Sequence, residues 1–128
     1  MINKLYKSKD CSIIVEVVNK CASKETLTCQ GSSMEEIKEN TDPTVIKAHL
    51  PVVDKTSVGV KVKIGEEEHP MTEEHYIEWI EITSDDYVFR KYLKPNDKPE
   101  ANFDVREDKF VVRAYCNIHG LWILNVNS

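Results

Sequence analysis

Residues 60–64 read Val60-Lys61-Val62-Lys63-Ile64, an unbroken alternation of β-branched and charged side chains. Successive side chains of an extended strand point to opposite faces, so this stretch can bury one face and wet the other. The period is two, not three and a half. Working outward, His75 to Thr83, Asp86 to Leu93, Lys109 to Tyr115 and Leu121 to Val126 are also rich in β-branched and aromatic residues, with turn residues between them. Several short strands at this spacing predict an all-β sandwich or barrel. Only Ser32 to Asn40, "SSMEEIKEN", reads as helix, and it is short.

The 128 residues suffice for one ordinary domain with a small appendage. Hydrophobic residues at 41% and charged residues at 30%, with four glycines and five prolines, exclude a disordered or fibrous chain. A net charge of -5 leaves no footprint for nucleic acid or an anionic membrane, and neither is expected as a partner. The start, "MINKLYKSKD", lacks the apolar run and cleavage site of a signal peptide, and no later stretch approaches a membrane-spanning length. A cytoplasmic location is the expectation. In that compartment Cys11, Cys21, Cys29 and Cys116 read as thiols or ligands rather than a disulfide framework.

Composition shifts over residues 38–44, "KENTDPT", where a polar segment with Asp42-Pro43 interrupts the strand pattern. The expected division is a small module over residues 1–38 and a β domain over 39–128. The first is too short to bury much core unaided, and modules of that size usually carry a metal or a disulfide.

All four histidines fall in the second segment: His49 in "KAHLP", His69 in "EEHPM", His75 in "EEHYIEW" and His119 in "CNIHG". Three of them sit at strand ends or beside a proline, where side chains from separate loops can converge. Each alone has an ordinary explanation as a surface or strand-end residue, and Cys116 alone could be a small core residue. Cys116-x-x-His119 is stronger, because a tight turn aims thiolate and imidazole at one ion and Gly120 permits the backbone to turn back. Structural zinc normally closes with four ligands. Four imidazoles and a thiolate instead suit a redox or catalytic ion with an open sixth position, and a thiolate on iron pushes electron density toward whatever binds opposite.

Four blocks carry a family resemblance: His49-Leu50-Pro51-Val52-Val53; Val60-Lys61-Val62-Lys63-Ile64-Gly65; His69-Pro70-Met71 through His75-Tyr76-Ile77-Glu78-Trp79-Ile80; and Cys116-Asn117-Ile118-His119-Gly120-Leu121-Trp122. In this order and spacing the chain resembles the superoxide reductases of the desulfoferrodoxin and neelaredoxin type over nearly its whole length. The resemblance implies a mainly β fold, an immunoglobulin-like β-sandwich with a small rubredoxin-like, desulfoferrodoxin-type N-terminal module. It further implies one mononuclear non-haem iron per chain, with His49, His69, His75 and His119 equatorial and Cys116 axial. The implied reaction reduces superoxide to hydrogen peroxide by one-electron transfer from Fe(II), in oxidative-stress defence. Rubredoxin or a similar small carrier would re-reduce the iron, and the chain would be a homodimer. The backbone N–H groups of Ile118 and His119 are expected to hydrogen-bond the Cys116 sulfur and tune it.

Two departures from the family pattern matter. The family usually has glutamate and lysine directly before the first histidine, and here those positions hold Lys47 and Ala48. Lys47 is a candidate for steering the anionic substrate from the same loop, although in an extended segment a neighbouring position points the other way. In the first module, Ser8 and Gln30 stand where two of four iron-ligand cysteines would be, leaving Cys11 and Cys29, with Cys21 off-pattern. Two thiolates make a poor iron site, so a degenerate module without iron is expected, folded by pairing "SIIVEVV" with "TLTC". A Cys11–Cys29 disulfide is disfavoured in a reducing cytoplasm. The competing readings are a non-catalytic iron or zinc binding or sensing module, and a bare β-sandwich interaction domain with incidental histidines.

Overall fold

The structure, a computed structural model, describes residues 2–9, 12–19 and 26–127, so Cys11 and Cys21 lie outside the described residues. The chain divides into two compact units, Ile2–Lys38 and Glu39–Ser128.

In the first unit, β1 (Leu5–Lys7) is the middle strand of a three-stranded antiparallel sheet, between β2 (Ile14–Glu16) and β5 (Glu35–Glu36). Strands β3 (Thr28–Cys29) and β4 (Ser32–Ser33) form a separate hairpin. Its two turn residues, Gln30 (φ 51) and Gly31 (φ 82), adopt the left-handed conformation that a tight hairpin turn demands. Two expectations fail here. The segment read as a helix is extended, because a nine-residue stretch gains too few helical bonds to repay nucleation while Glu35–Glu36 can pair with Tyr6 and Lys7. The expected pairing of "SIIVEVV" with "TLTC" is replaced by β2 on β1 and by the local β3–β4 hairpin, which closes the shorter loop. The Cys11–Cys29 disulfide, disfavoured on the sequence, involves Cys11, which lies outside the described residues.

The second unit contains a short helix α1 (Ile46–His49) and strands β6 (Pro51–Thr56), β7 (Gly59–Ile64), β8 (Ile77–Thr83), β9 (Val88–Tyr92), β10 (Glu100–Phe103), β11 (Lys109–Cys116) and β12 (Gly120–Asn127). They form two antiparallel sheets, β10-β7-β6 and β12-β11-β8-β9, in the three-plus-four division of an immunoglobulin-like sandwich. Val60, Val62 and Ile64 of β7 are buried against Ile80 and Ile82 of β8 and Val112, Ala114 and Cys116 of β11. Lys61 and Lys63 take the other face, as the alternation requires.

One irregularity in the larger sheet bears on the site. Tyr115 pairs with Trp79, but Cys116 pairs with Ile77, so Glu78 is an extra residue in β8. Such a bulge switches the alternation: Ile80 and Ile82 face the core on one side of it, and Ile77 faces the core on the other. Residue 75 thereby gains the parity of the core face at the end where Cys116 lies.

On the opposite face of that sheet, Arg113, Glu81 and Arg90 are cross-strand neighbours. Glu81 is fully buried, with Arg113 Nη2 at 2.5 Å and Arg90 Nη2 at 2.6 Å. Arg90 also lies over the Trp79 ring, 5.3 Å from its centroid. No helix among the described residues is long and apolar enough to cross a membrane.

Candidate metal centre

Five side chains reach one end of the sandwich from four short segments. His49 ends α1, where Leu50 turns extended ahead of Pro51 and stops the helix. His69 follows the turn at Gly65 (φ 91), where a Cβ would collide with the carbonyl oxygens of Glu67 and Ala48. The Gly65 and Glu67 N–H groups donate to Leu50 O at 3.1 Å and Lys47 O at 3.2 Å, which holds the His69 loop beside α1. His75 closes a small loop with Thr72, whose N–H donates to His75 O at 2.9 Å. Cys116 is the last residue of β11 and His119 lies in the turn leading to β12. Gly120, at φ 76, supplies the conformation that returns the chain.

The structure brings all five residues together. Donor atoms of His49, His75, Cys116 and His119 lie within 4.8 Å of one another, and His69 Nε2 is 3.0 Å from His49 Nε2. The four rings form a closed circuit: neighbouring centroids are 4.5 Å (49–69), 4.6 Å (69–75), 5.1 Å (75–119) and 4.6 Å (119–49) apart, and the 49–75 diagonal is 6.1 Å. Each ring stands at a steep angle to its neighbours. Cys116 Sγ is 3.9 Å from His119 Nδ1, and the His119 N–H donates to the sulfur at 3.4 Å.

Hydrogen bonding shows what this arrangement lacks. His49 Nδ1 is 2.8 Å from Val45 O and His69 Nδ1 is 2.5 Å from Pro70 O. A carbonyl only accepts, so each Nδ1 carries the proton and each Nε2 presents a bare lone pair. Those lone pairs face each other at 3.0 Å, and the buried His75 Nε2 has no hydrogen-bond partner among the described residues. Converging, unprotonated donors with nothing to accept from fit a cation.

Burial is the main cause that holds His49, His69 and His75 below the ordinary histidine value, His69 to about 4, with neighbouring imidazoles adding to it. The rings are therefore neutral at physiological pH, the state in which imidazole ligates. Burial pushes the Cys116 thiol up, opposed by the backbone N–H groups of His119 and Ile118. A neighbouring cation would be needed to hold it as thiolate.

Lys47 is exposed on α1, two positions before His49. Residues at i and i+2 of a helix do not share a face, so Lys47 projects away from the ring cluster. The segment is helical rather than extended as the sequence suggested.

Three supporting residues were not singled out from the sequence. Trp122, almost fully buried, stacks on His49 with centroids 4.8 Å apart. Asn40 donates from Nδ2 to His119 O at 2.7 Å and from its backbone N–H to Leu121 O at 2.7 Å, gripping the Cys116–Gly120 turn from outside. Asn117 bonds the loop that carries His75. Trp122 stood in a quoted motif, but an asparagine in a polar linker such as "KENTDPT" carries no local mark of a tertiary role.

Comparison with known proteins follows the same lines. Residues 34–125 match the family model described as desulfoferrodoxin. A desulfoferrodoxin of Nitratidesulfovibrio vulgaris is 45% identical over 119 residues, 93% of each chain. A desulfoferrodoxin homolog of Archaeoglobus fulgidus is 46% identical over 121 residues, 94% of this chain and 95% of that one. Among solved structures, the superoxide reductase from Treponema pallidum superposes with a TM-score of 0.74 at 26% identity, covering 95% of this chain and 96% of its own.

Proposed function

Because the chain belongs to the desulfoferrodoxin family, we propose that it is a superoxide reductase, with one non-haem iron held by His49, His69, His75, His119 and Cys116. The observation that carries this reading is the pair of bare Nε2 lone pairs at 3.0 Å inside a circuit of four imidazoles with a thiol beside it. When bound, ferrous iron supplies one electron, and with two protons one superoxide becomes one hydrogen peroxide.

The protein's own part is to prepare the donors. Val45 O and Pro70 O fix the tautomers of His49 and His69 so that Nε2 is the free atom. Trp122 holds the plane of His49 by stacking. The His119 and Ile118 N–H groups withdraw charge from the Cys116 sulfur, which sets how strongly it donates. Cys116 is fully buried and water is kept from that side, while His75 and His119 are half-exposed and give a small anion and its protons a way in. Lys47 adds positive charge on the segment that carries His49.

Rubredoxin or a similar small carrier returns the electron, and the enzyme works as a cytoplasmic homodimer. Residues 1–38 serve as a degenerate module without iron, in which Ser8 and Gln30 have replaced two ligand cysteines.

The test is metal analysis with visible spectroscopy during anaerobic mixing with superoxide. One iron per chain, a thiolate-to-Fe(III) band raised by superoxide and one peroxide formed per iron oxidised are expected. Iron binding with no such reaction would leave a metal-binding module; no iron binding after reconstitution would remove both readings.

A further inference from the structure

Asn117 sits between two of the candidate ligands, yet it gives no donor atom to the cluster. Its side chain and its backbone N–H bond the loop that carries His75. The Tyr76 N–H donates to Asn117 Oδ1 at 3.0 Å, Asn117 Nδ2 donates to Glu74 O at 3.0 Å, and the Asn117 N–H donates to Tyr76 O at 3.2 Å. The two side-chain bonds reach the peptide groups on either side of His75. The carboxamide thus takes the place of a neighbouring strand, carrying the β8–β11 pairing past the bulge where regular pairing ends at Cys116 and Ile77.

His75 is the ring that needs this. His49 and His69 are each anchored through Nδ1 to a backbone carbonyl, whereas the His75 ring makes no hydrogen bond among the described residues. Its placement comes from its backbone. Thr72 closes the 72–75 loop on itself, since the His75 N–H donates to Thr72 Oγ1 at 3.1 Å, but that closure leaves the loop free to shift as a body. Asn117 ties it to the turn that holds Cys116 and His119.

We propose that Asn117 is a positioning residue that sets His75 against Cys116 and His119, joining two ligand segments into one site. The proposal rests on the reading of the five side chains as a metal site. The task needs a planar group with a donor and an acceptor one methylene from the backbone. Aspartate keeps the acceptor and loses the donor, glutamine is one methylene too long, and alanine loses both.

Two measurements test it. Anaerobic Fe(II) titration against a competing chelator is run on wild type, Asn117→Ala, His75→Ala and the double variant. Asn117→Ala is expected to weaken Fe(II) binding roughly ten- to a hundredfold and to add nothing in the His75→Ala background, with Asn117→Asp between wild type and alanine. An equal loss in both backgrounds would overturn the proposal, because Asn117 would then act on the fold at large. Wild type that binds no Fe(II) would instead fell the metal reading, and the proposal with it. In metal-free protein, amide exchange read by NMR is expected to accelerate at Tyr76 in Asn117→Ala while Val112, central in β11, keeps its protection. Unchanged Tyr76 exchange, or equal acceleration at both sites, would also overturn it.

Discussion

His49 and His69 face each other through Nε2 atoms 3.0 Å apart, with both Nδ1 atoms already bonded to carbonyl oxygens. Two lone pairs at that separation repel, and a cation between them turns the repulsion into attraction. Fe(II) at a hundredfold excess over its dissociation constant then stabilises the fold by about 2.7 kcal/mol, a rise of roughly 10 °C in melting temperature. Anaerobic calorimetry of wild type and His49→Ala checks this. The variant is expected to lose most of the rise; an equal rise in both would place the metal elsewhere.

Acid acts on the metal-free protein through the same rings. His69 is held from 6.5 down to about 4, chiefly by burial, so the unfolded chain takes up a proton at higher pH than the folded one. Stability therefore falls as pH drops from about 6.5 toward 4 and levels below that. Urea unfolding of metal-free wild type and His69→Gln at stepped pH reads the effect as a difference. The variant is expected to show a shallower slope across that window, and parallel slopes would sink the assignment.

Glu81 is fully buried between Arg113 and Arg90, on the sheet face away from the core. Glu81→Gln leaves Arg113 buried without its countercharge and costs about 3–5 kcal/mol of stability. Because Glu81 lies outside the cluster, correctly folded variant is expected to bind as much iron as wild type. Chemical denaturation paired with metal analysis tests both halves, and a stability loss under 1 kcal/mol would mean that Glu81 contributes little.

Lys47 is exposed and projects away from the rings. Its influence on an incoming anion is long-range and open to salt screening. Lys47→Ala is expected to lower the second-order rate with superoxide about twofold or less at low ionic strength, and not at all in high salt. Pulse radiolysis at two salt concentrations measures it. A tenfold loss that persists in high salt would give Lys47 a direct role.

The sandwich was legible where alternation ran long enough to be unambiguous. "VKVKI" became β7 with Val60, Val62 and Ile64 in the core, and residues 109–115 became the body of β11. Short elements were not. The strand Glu100–Phe103 and the helix Ile46–His49 span four residues each, less than a period count can resolve. In residues 1–38 the reading went wrong because strands of two and three residues are chosen by their partners: "KLYK", to which no strand was assigned, holds the middle strand.

The candidate site divides in the same way. Histidines and a cysteine are few and chemically distinctive, so their convergence could be inferred from residue type and motif. The asparagines that brace the ligand segments could not. Asn40 and Asn117 reach partners 79 and up to 43 residues away, and nothing local distinguishes them from asparagines in ordinary turns.

The extra residue in β8 makes distance along the chain a constraint of its own kind. Deleting Glu78 would remove no donor, no core side chain and no buried charge, and every residue named for the cluster would still be present. The strand would regain simple alternation with Cys116 still opposite Ile77, and His75, two positions from Ile77, would keep the parity of the core face. The damaging change is to flatten the bulge while keeping Glu78, because five regular steps from His75 to Ile80 would put the two on opposite faces. In a related sequence the separation of His75 and Ile80 along the chain and the presence of the bulge have to agree, since an odd separation needs the bulge and an even one does not.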